Sequence, residues 1–180
     1  MKVTIRQENQ TDFDSVYSVV KLAFLNAEHT DHDEHNLVNR LRKSSAFIPE
    51  LSLVAIVDGE IVGHILFTRI EIHNGSEKSV SLALAPLTVV PDMQGKGIGG
   101  KLIEKGHKIA KGLGFSSAVV LGHPAYYPRF GYIPASHFNI RPPFEVPDEA
   151  FMVCELAENG LANISGIVQY AKEFFLESES

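Results

Sequence analysis

Tryptophan is absent from this 180-residue sequence, cysteine occurs once and methionine three times. The single cysteine, Cys154, can form no internal bridge. A fold without staples has to be held by its core, and Cys154, inside the apolar stretch FMVCEL, reads as part of it. Long apolar runs are also missing: the longest, LALAPLTVV at residues 82–90, is far shorter than the ~20 residues of a spanning helix. The opening MKVTIRQENQTDFD has no apolar core of the secretory kind, so a soluble, cytoplasmic protein with no membrane partner is expected. Basic charge is in deficit, with 16 Lys and Arg against 22 Asp and Glu and a net charge of −6. That balance repels polyanions and makes nucleic acid an unexpected partner.

What is present suffices for one domain over residues 1–180. KVTIRQ alternates as a first strand should. Thr11 or Asp12 is placed to cap a helix whose apolar positions Phe13, Val16, Tyr17, Val20 and Phe24 recur at helical spacing. Residues 37–41 suggest a short second helix. LSLVAIVDGEIVGHILFTRIEI reads as two strands joined at Asp58-Gly59, a dipeptide suited to the positive φ angles of a tight hairpin. Residues 79–90 form a third long strand, apolar on both faces. Behind it, Ile98, Leu102, Ile109, Ala110 and Leu113 mark a helix that Gly112 and Gly114 end. SSAVVLGH is the next strand. A short helix is expected near Pro124, weak strand signals near HFNI, a last strand at residues 151–156, and a frayed ESES tail.

Between strand and helix lies PDMQGKGIGGKL, residues 91–102, with four glycines in twelve positions. Gly95, Gly97 and Gly100 spell G-x-G-x-x-G, but a dinucleotide site needs the turn directly after its strand and a carboxylate about 20 residues on. Here PDMQ intervenes and the next strand ends at Gly122-His123. Gly95 to Lys101 also spells G-x-x-x-x-G-K, yet Leu102 stands where a hydroxyl must hold magnesium. Gln94, Gly97 and Gly99 satisfy a third pattern, Q/R-x-x-G-x-G/A. With it, and with LGHPAYYPRFGY one strand later, the chain resembles the GNAT N-acetyltransferases over nearly its whole length, most of all their YhbS-like branch.

The resemblance implies an α/β (α+β) mixed sheet: the acyl-CoA N-acyltransferase fold, mostly antiparallel, with flanking helices and one splayed parallel pair formed by residues 79–90 and 117–121. It implies acetyl-CoA as cosubstrate, a small-molecule or peptide amine as acceptor, and a homodimer as a fair expectation. Physically, a helix N-terminus leaves amides unpaired and carries partial positive charge, and glycines let a diphosphate approach those amides. Gly95, Lys96, Gly97, Ile98, Gly99, Gly100 and Lys101 would form this cradle after Gln94, with the two lysines charging its rim. Pro86 interrupts a buried strand with a residue that donates no backbone hydrogen bond, which points to a bulge. If the strands part there, backbone groups of Leu87, Thr88 and Val89 face a gap, where the resemblance implies the pantetheine arm lies.

Acetyl transfer needs a neutral amine and a proton for the leaving thiolate. Deprotonating a lysine-like amine of pKa about 10.4 costs roughly 4.6 kcal/mol at neutral pH, an α-amine near 8 only about 1. For the acid, the resemblance implies Tyr127, four positions before Gly131-Tyr132, with Tyr126 its neighbouring alternative. No base identifies itself: Glu71, His73 and His123 are candidates by position, and a water chain is another. His29, Asp31, His32, Asp33 and His35 lack the spacing of a helical zinc site and have no cysteine nearby, so no metal is expected. Two other readings stay open, a non-catalytic acyl-CoA-binding module and a P-loop-like nucleotide-binding protein.

Overall fold

Alternation and turn chemistry set the frame of the molecule, seen here in a computed structural model describing residues 1–28 and 30–176. His29 and the ESES tail lie outside the described residues. Strand β1 (Thr4–Gln7) is followed by helices α1 (Phe13–Phe24) and α2 (Glu34–Arg42). Then come the long strands β2 (Phe47–Val57), β3 (Glu60–Asn74) and β4 (Glu77–Val89). Helix α3 (Ile98–Gly112) leads to β5 (Ser117–Leu121), and the remainder holds the short strands β6 (Ile133–Pro134), β7 (Ile140–Arg141), β8 (Phe151–Glu155) and β9 (Gly166–Gln169).

These form one mixed sheet in the order β1-β2-β3-β4-β5-β8-β6, with β9 pairing both β3 and β7. Pairing is antiparallel throughout except for β4 with β5 and β7 with β9. The hairpin at Asp58-Gly59 forms as expected, with φ of 51° and 81° at its two residues, the twist that suits flanking strands. Both faces of the sheet are covered. Leu53, Ala55 and Val57 of β2 pack towards the α3 side, whereas Val54 packs with Val16, Val20 and Val38 from α1 and α2. Two buried faces explain why these strands read as nearly continuous apolar runs.

Several local expectations are corrected. Neither Thr11 nor Asp12 caps the first helix by its side chain. Asn9 caps a 3-10 turn, Gln10–Asp12, that runs into α1, and Asp12 accepts from the Asn9 amide in return. The segment near Pro124 is only a 3-10 turn, Tyr127–Phe130, because Gly131 follows at φ 95° and stops it. Near HFNI the strand is confined to the two residues of β7, after a 3-10 turn, Ala135–Phe138, that takes in His137 and Phe138. Helix α2 is longer than its apolar positions suggest, since its polar first turn still presents helical hydrogen bonds to Asp33. Among the described residues no helix is long and apolar enough to cross a membrane.

Candidate active site

Proline in β4 forces the local exception from which the site grows. Ile65 of β3 pairs with Leu87, but Phe67 pairs with Leu84, so β4 carries one extra residue at Ala85-Pro86. On its other side β4 meets β5 only at Leu82 with Ala118 and Ala83 with Val119. Just before these pairs, the buried Ser81 and Ser117 hydroxyls lie 2.8 Å apart and tie the two strands. Beyond them β5 continues to Leu121 in pairing with β8, while β4 continues in pairing with β3. The two parallel strands therefore part at the bulge. Leu87, Thr88 and Val89 keep partners on the β3 side only, opposite Ile65, His64 and Gly63.

At the end of the parted strand the chain makes a 3-10 turn, Pro91–Met93, and the Gln94 side-chain Nε2 donates to the Val89 carbonyl at 3.0 Å, closing the turn. Gly97 is the N-cap of α3 at φ 82°, with no side-chain cap, so the first-turn amides of the helix have no side-chain acceptor. The first helical bond runs from the Lys101 amide to the Gly97 carbonyl. A Cβ on Gly97 would meet nothing within 4 Å, whereas one on Gly99 would lie 2.6 Å from the Tyr126 hydroxyl. The glycines are thus needed for two different reasons, backbone conformation at Gly97 and close approach at Gly99.

A cavity of about 410 Å³ opens over this turn. Of the residues singled out from the sequence, Leu87, Val89 and Gln94 line it, and so do Gly95, Gly97, Ile98, Gly99 and Gly100. Thr88 does not; its side chain is buried on the α1–α2 side. Lys96 and Lys101 are exposed and lie off the wall, Lys96 with its ammonium 3.7 Å from Met93 Sδ. Met93, Tyr126, Arg129 and Phe130 complete the wall. Arg129, with its guanidinium 4.7 Å from the Tyr126 ring centre, is the cation this cavity has, and its place in YYPRFGY is the signal that marks it. A larger cavity, about 670 Å³ between α3 and β8, contains none of the glycine turn.

The two tyrosines separate. Tyr126 lies over Gly99 on the cavity wall, and Tyr127 packs edge-on against it with ring centres 5.1 Å apart. The Tyr127 ring covers Gly122 at the end of β5, where the strands have parted, and contacts Tyr132. Burial, with the Tyr126 hydroxyl adding to it, pushes the Tyr127 pKa up. Its hydroxyl makes no hydrogen bond among the described residues. Of the base candidates, Glu71 and His73 bond each other at 3.2 Å and lie at the β9 end of β3, about 16 and about 23 Å along the strand from the bulge. His123 follows β5 directly and accepts from the Ala125 amide through Nδ1 at 3.1 Å.

In the segment before α2, His32 Nδ1 donates to the Phe24 carbonyl, and Asp33 pairs with Arg40. Among the described residues no group of three His, Cys, Asp or Glu side chains is placed to hold a metal. A buried polar cluster with no sequence signal does lie under β4. Arg42 grips Glu8 through two nitrogens, and Ser52 bridges Glu8 to His64, the cross-strand partner of Thr88. Burial, the largest influence, pushes the His64 pKa down to about 4, with Glu8 acting upward and Arg42 downward.

The site therefore joins a parted parallel strand pair to an uncapped, glycine-rich helix start. Residues 13–132 match the family described as Acetyltransferase (GNAT) family. The chain belongs to the GNAT family. As a GNAT member it is 31% identical over 153 residues to the Escherichia coli protein named uncharacterized N-acetyltransferase YhbS, covering 84% of this chain and 89% of the relative. It is 40% identical over 117 residues to the E. coli K12 uncharacterized N-acetyltransferase YjhQ, a match spanning 64% of this chain and 65% of that relative. The crystal structure of YhbS in complex with CoA superposes with a TM-score of 0.88 at 27% identity, covering 99% of this chain and 94% of the other. That of a GNAT family acetyltransferase from Brucella melitensis in complex with acetyl-CoA gives 0.78 at 31% identity, over 96% and 98% of the two chains. The mixed sheet with its parallel β4–β5 pair is therefore the GNAT fold.

Proposed function

We propose that this GNAT chain is an N-acetyltransferase that moves the acetyl group of acetyl-CoA to a primary amine by direct attack in a ternary complex. The observation that carries this reading is the parting of β4 from β5 at Ala85-Pro86, immediately upstream of the uncapped helix start. When bound, acetyl-CoA supplies an acyl carbon activated as a thioester. Amides of Gly95 to Gly100 hold the diphosphate, and the open edge of Leu87 to Val89 takes the amides of the pantetheine arm as a missing strand would. Arg129 adds positive charge at the wall.

Tyr127 is the proton donor to the leaving thiolate. Its Oη stays protonated because burial raises its pKa. A thiolate generated in the same water-poor place is raised too, which keeps the transfer feasible. The base candidates Glu71 and His73 lie away from the bulge, which favours an acceptor of low pKa or one deprotonated through water. A panel of primary amines with free-thiol detection tests the reading. Turnover of at least one amine is expected, falling about 100-fold or more in Tyr127→Phe, while Tyr126→Phe acts mainly on the KM for acetyl-CoA. Unchanged turnover in Tyr127→Phe removes that residue from the mechanism. Tight acetyl-CoA binding with no amine turned over favours a non-catalytic acyl-CoA-binding module, and magnesium-dependent ATP binding a P-loop protein.

A further inference from the structure

On the opposite side of the bulge from the glycine turn lies a second cavity, of about 250 Å³. Ala85 of the bulge itself and Leu121, the last residue of β5, form its floor, and Leu37 of α2 overhangs it. Its wall is aromatic: Tyr170 stacks on Phe144 with ring centres 5.8 Å apart and meets Phe174 at 5.1 Å. An apolar cavity of about 150 Å³ is known to take up a benzene ring, so this one has room for a substituted ring. Leu121 is 46% exposed, an apolar side chain left uncovered at the point where β4 and β5 part.

Among the described residues no charged side chain lines this cavity, but one carboxylate neighbours it through α2. Glu34 stands three residues before Leu37, so the two side chains lie on one side of α2 with Cβ atoms about 5–6 Å apart. Glu34 Oε1 accepts from the Thr30 hydroxyl, but Oε2 is buried and has no hydrogen-bond partner among the described residues. Such an oxygen is stabilised by a cation that brings its own donors. Burial, the largest influence, raises the Glu34 pKa, with its own backbone amide and His32 acting downward and Asp31 and Asp33 upward.

Resting on the acetyltransferase reading, we propose that the acceptor is a primary amine carried on a flat apolar body the size of a phenyl ring, seated between Ala85, Leu121 and the Tyr170 wall, with its ammonium meeting the Glu34 carboxylate. A ring in this cavity removes Leu121 from water and brings the amine beside the bulge, where the strands part. Small polar amines could reach Glu34 but would leave the aromatic wall wet.

The test compares phenethylamine with ethylamine in the free-thiol assay, with 2-phenylethanol as inhibitor. The expected result is a KM for phenethylamine at least about tenfold lower, with 2-phenylethanol competing against the amine and not against acetyl-CoA. Glu34→Gln raises the amine KM about tenfold or more and leaves CoA affinity unchanged. Equal KM values for the two amines overturn the proposal. So does a preference for butyryl-CoA over acetyl-CoA with 2-phenylethanol competing against the acyl donor, which assigns the cavity to the acyl chain. If no amine is turned over, the acetyltransferase reading fails by itself. Calorimetry of phenethylamine with the CoA-saturated protein then decides the cavity: binding that is lost in Leu121→Gln supports it, and no binding overturns it.

Discussion

Replacing Gly97 by alanine separates backbone conformation from contact. Gly97 sits at φ 82°, and a Cβ there meets no atom within 4 Å, so the added methyl clashes with nothing. What remains is the left-handed backbone, which costs an L-residue about 1–2 kcal/mol. At about 2–4 °C per kcal/mol for a chain of this size, Tm should fall by roughly 2–8 °C. The turn relieves the strain by rotating, and this swings the first-turn amides of α3 away from their common point. Losing one charge-assisted hydrogen bond is worth about 1.5–3 kcal/mol, so the Kd for CoA should rise roughly 10- to 100-fold. Gly112→Ala is the matched control. It is the last residue of the same helix, equally free of neighbours, and alanine there should stabilise by up to about 1 kcal/mol with the CoA Kd unchanged. Thermal melts and calorimetric titration measure both quantities. A lower Tm in Gly97→Ala with an unaltered CoA Kd would refute the assignment of the diphosphate to these amides.

Two further outcomes follow from the buried polar groups near β4. His64 is held neutral in the fold at a pKa of about 4 while the unfolded chain protonates near 6.5, so its contribution is complete above pH 6.5 and is lost as pH falls towards 4. Between about pH 7.5 and about pH 5 this amounts to about 2 kcal/mol, and urea melts should show a loss of at least that size that His64→Gln removes. His107, held down to about 4 by burial, acts in the same window. Ser117→Ala leaves the buried Ser81 hydroxyl without its partner and should cost about 1–3 kcal/mol in the same melts, since that bond ties β4 to β5 just before they part.

The long elements were legible because their signals are local. The Asp58-Gly59 turn, the apolar stripe of α3 and the strands β2 to β5 follow from period and turn chemistry, and Pro86 announced the bulge that opens the sheet. Of the short elements after β5, β8 was legible in FMVCEL, but the others depend on remote partners: β9 exists by pairing with Glu71 to His73 of β3 and with β7, which no local pattern encodes. The glycine turn stood out in the sequence, but its spelling does not tell which residues line the cavity over it: Lys96 and Lys101 lie off the wall, while Arg129, from the next strand's loop, lies on it. The Glu8–Arg42–Ser52–His64 cluster joins α2, β2 and β3 to the residue after β1 and had no sequence signature at all.

Backbone amide NMR during titration with CoA tests the central claim most directly. Amides of Leu87 to Val89 and of Gly95 to Gly100 should shift together and saturate at one ligand per chain, with β1 and β9 unmoved. Saturable binding that shifts the amides around the α3–β8 cavity and leaves the glycine turn untouched would contradict the account.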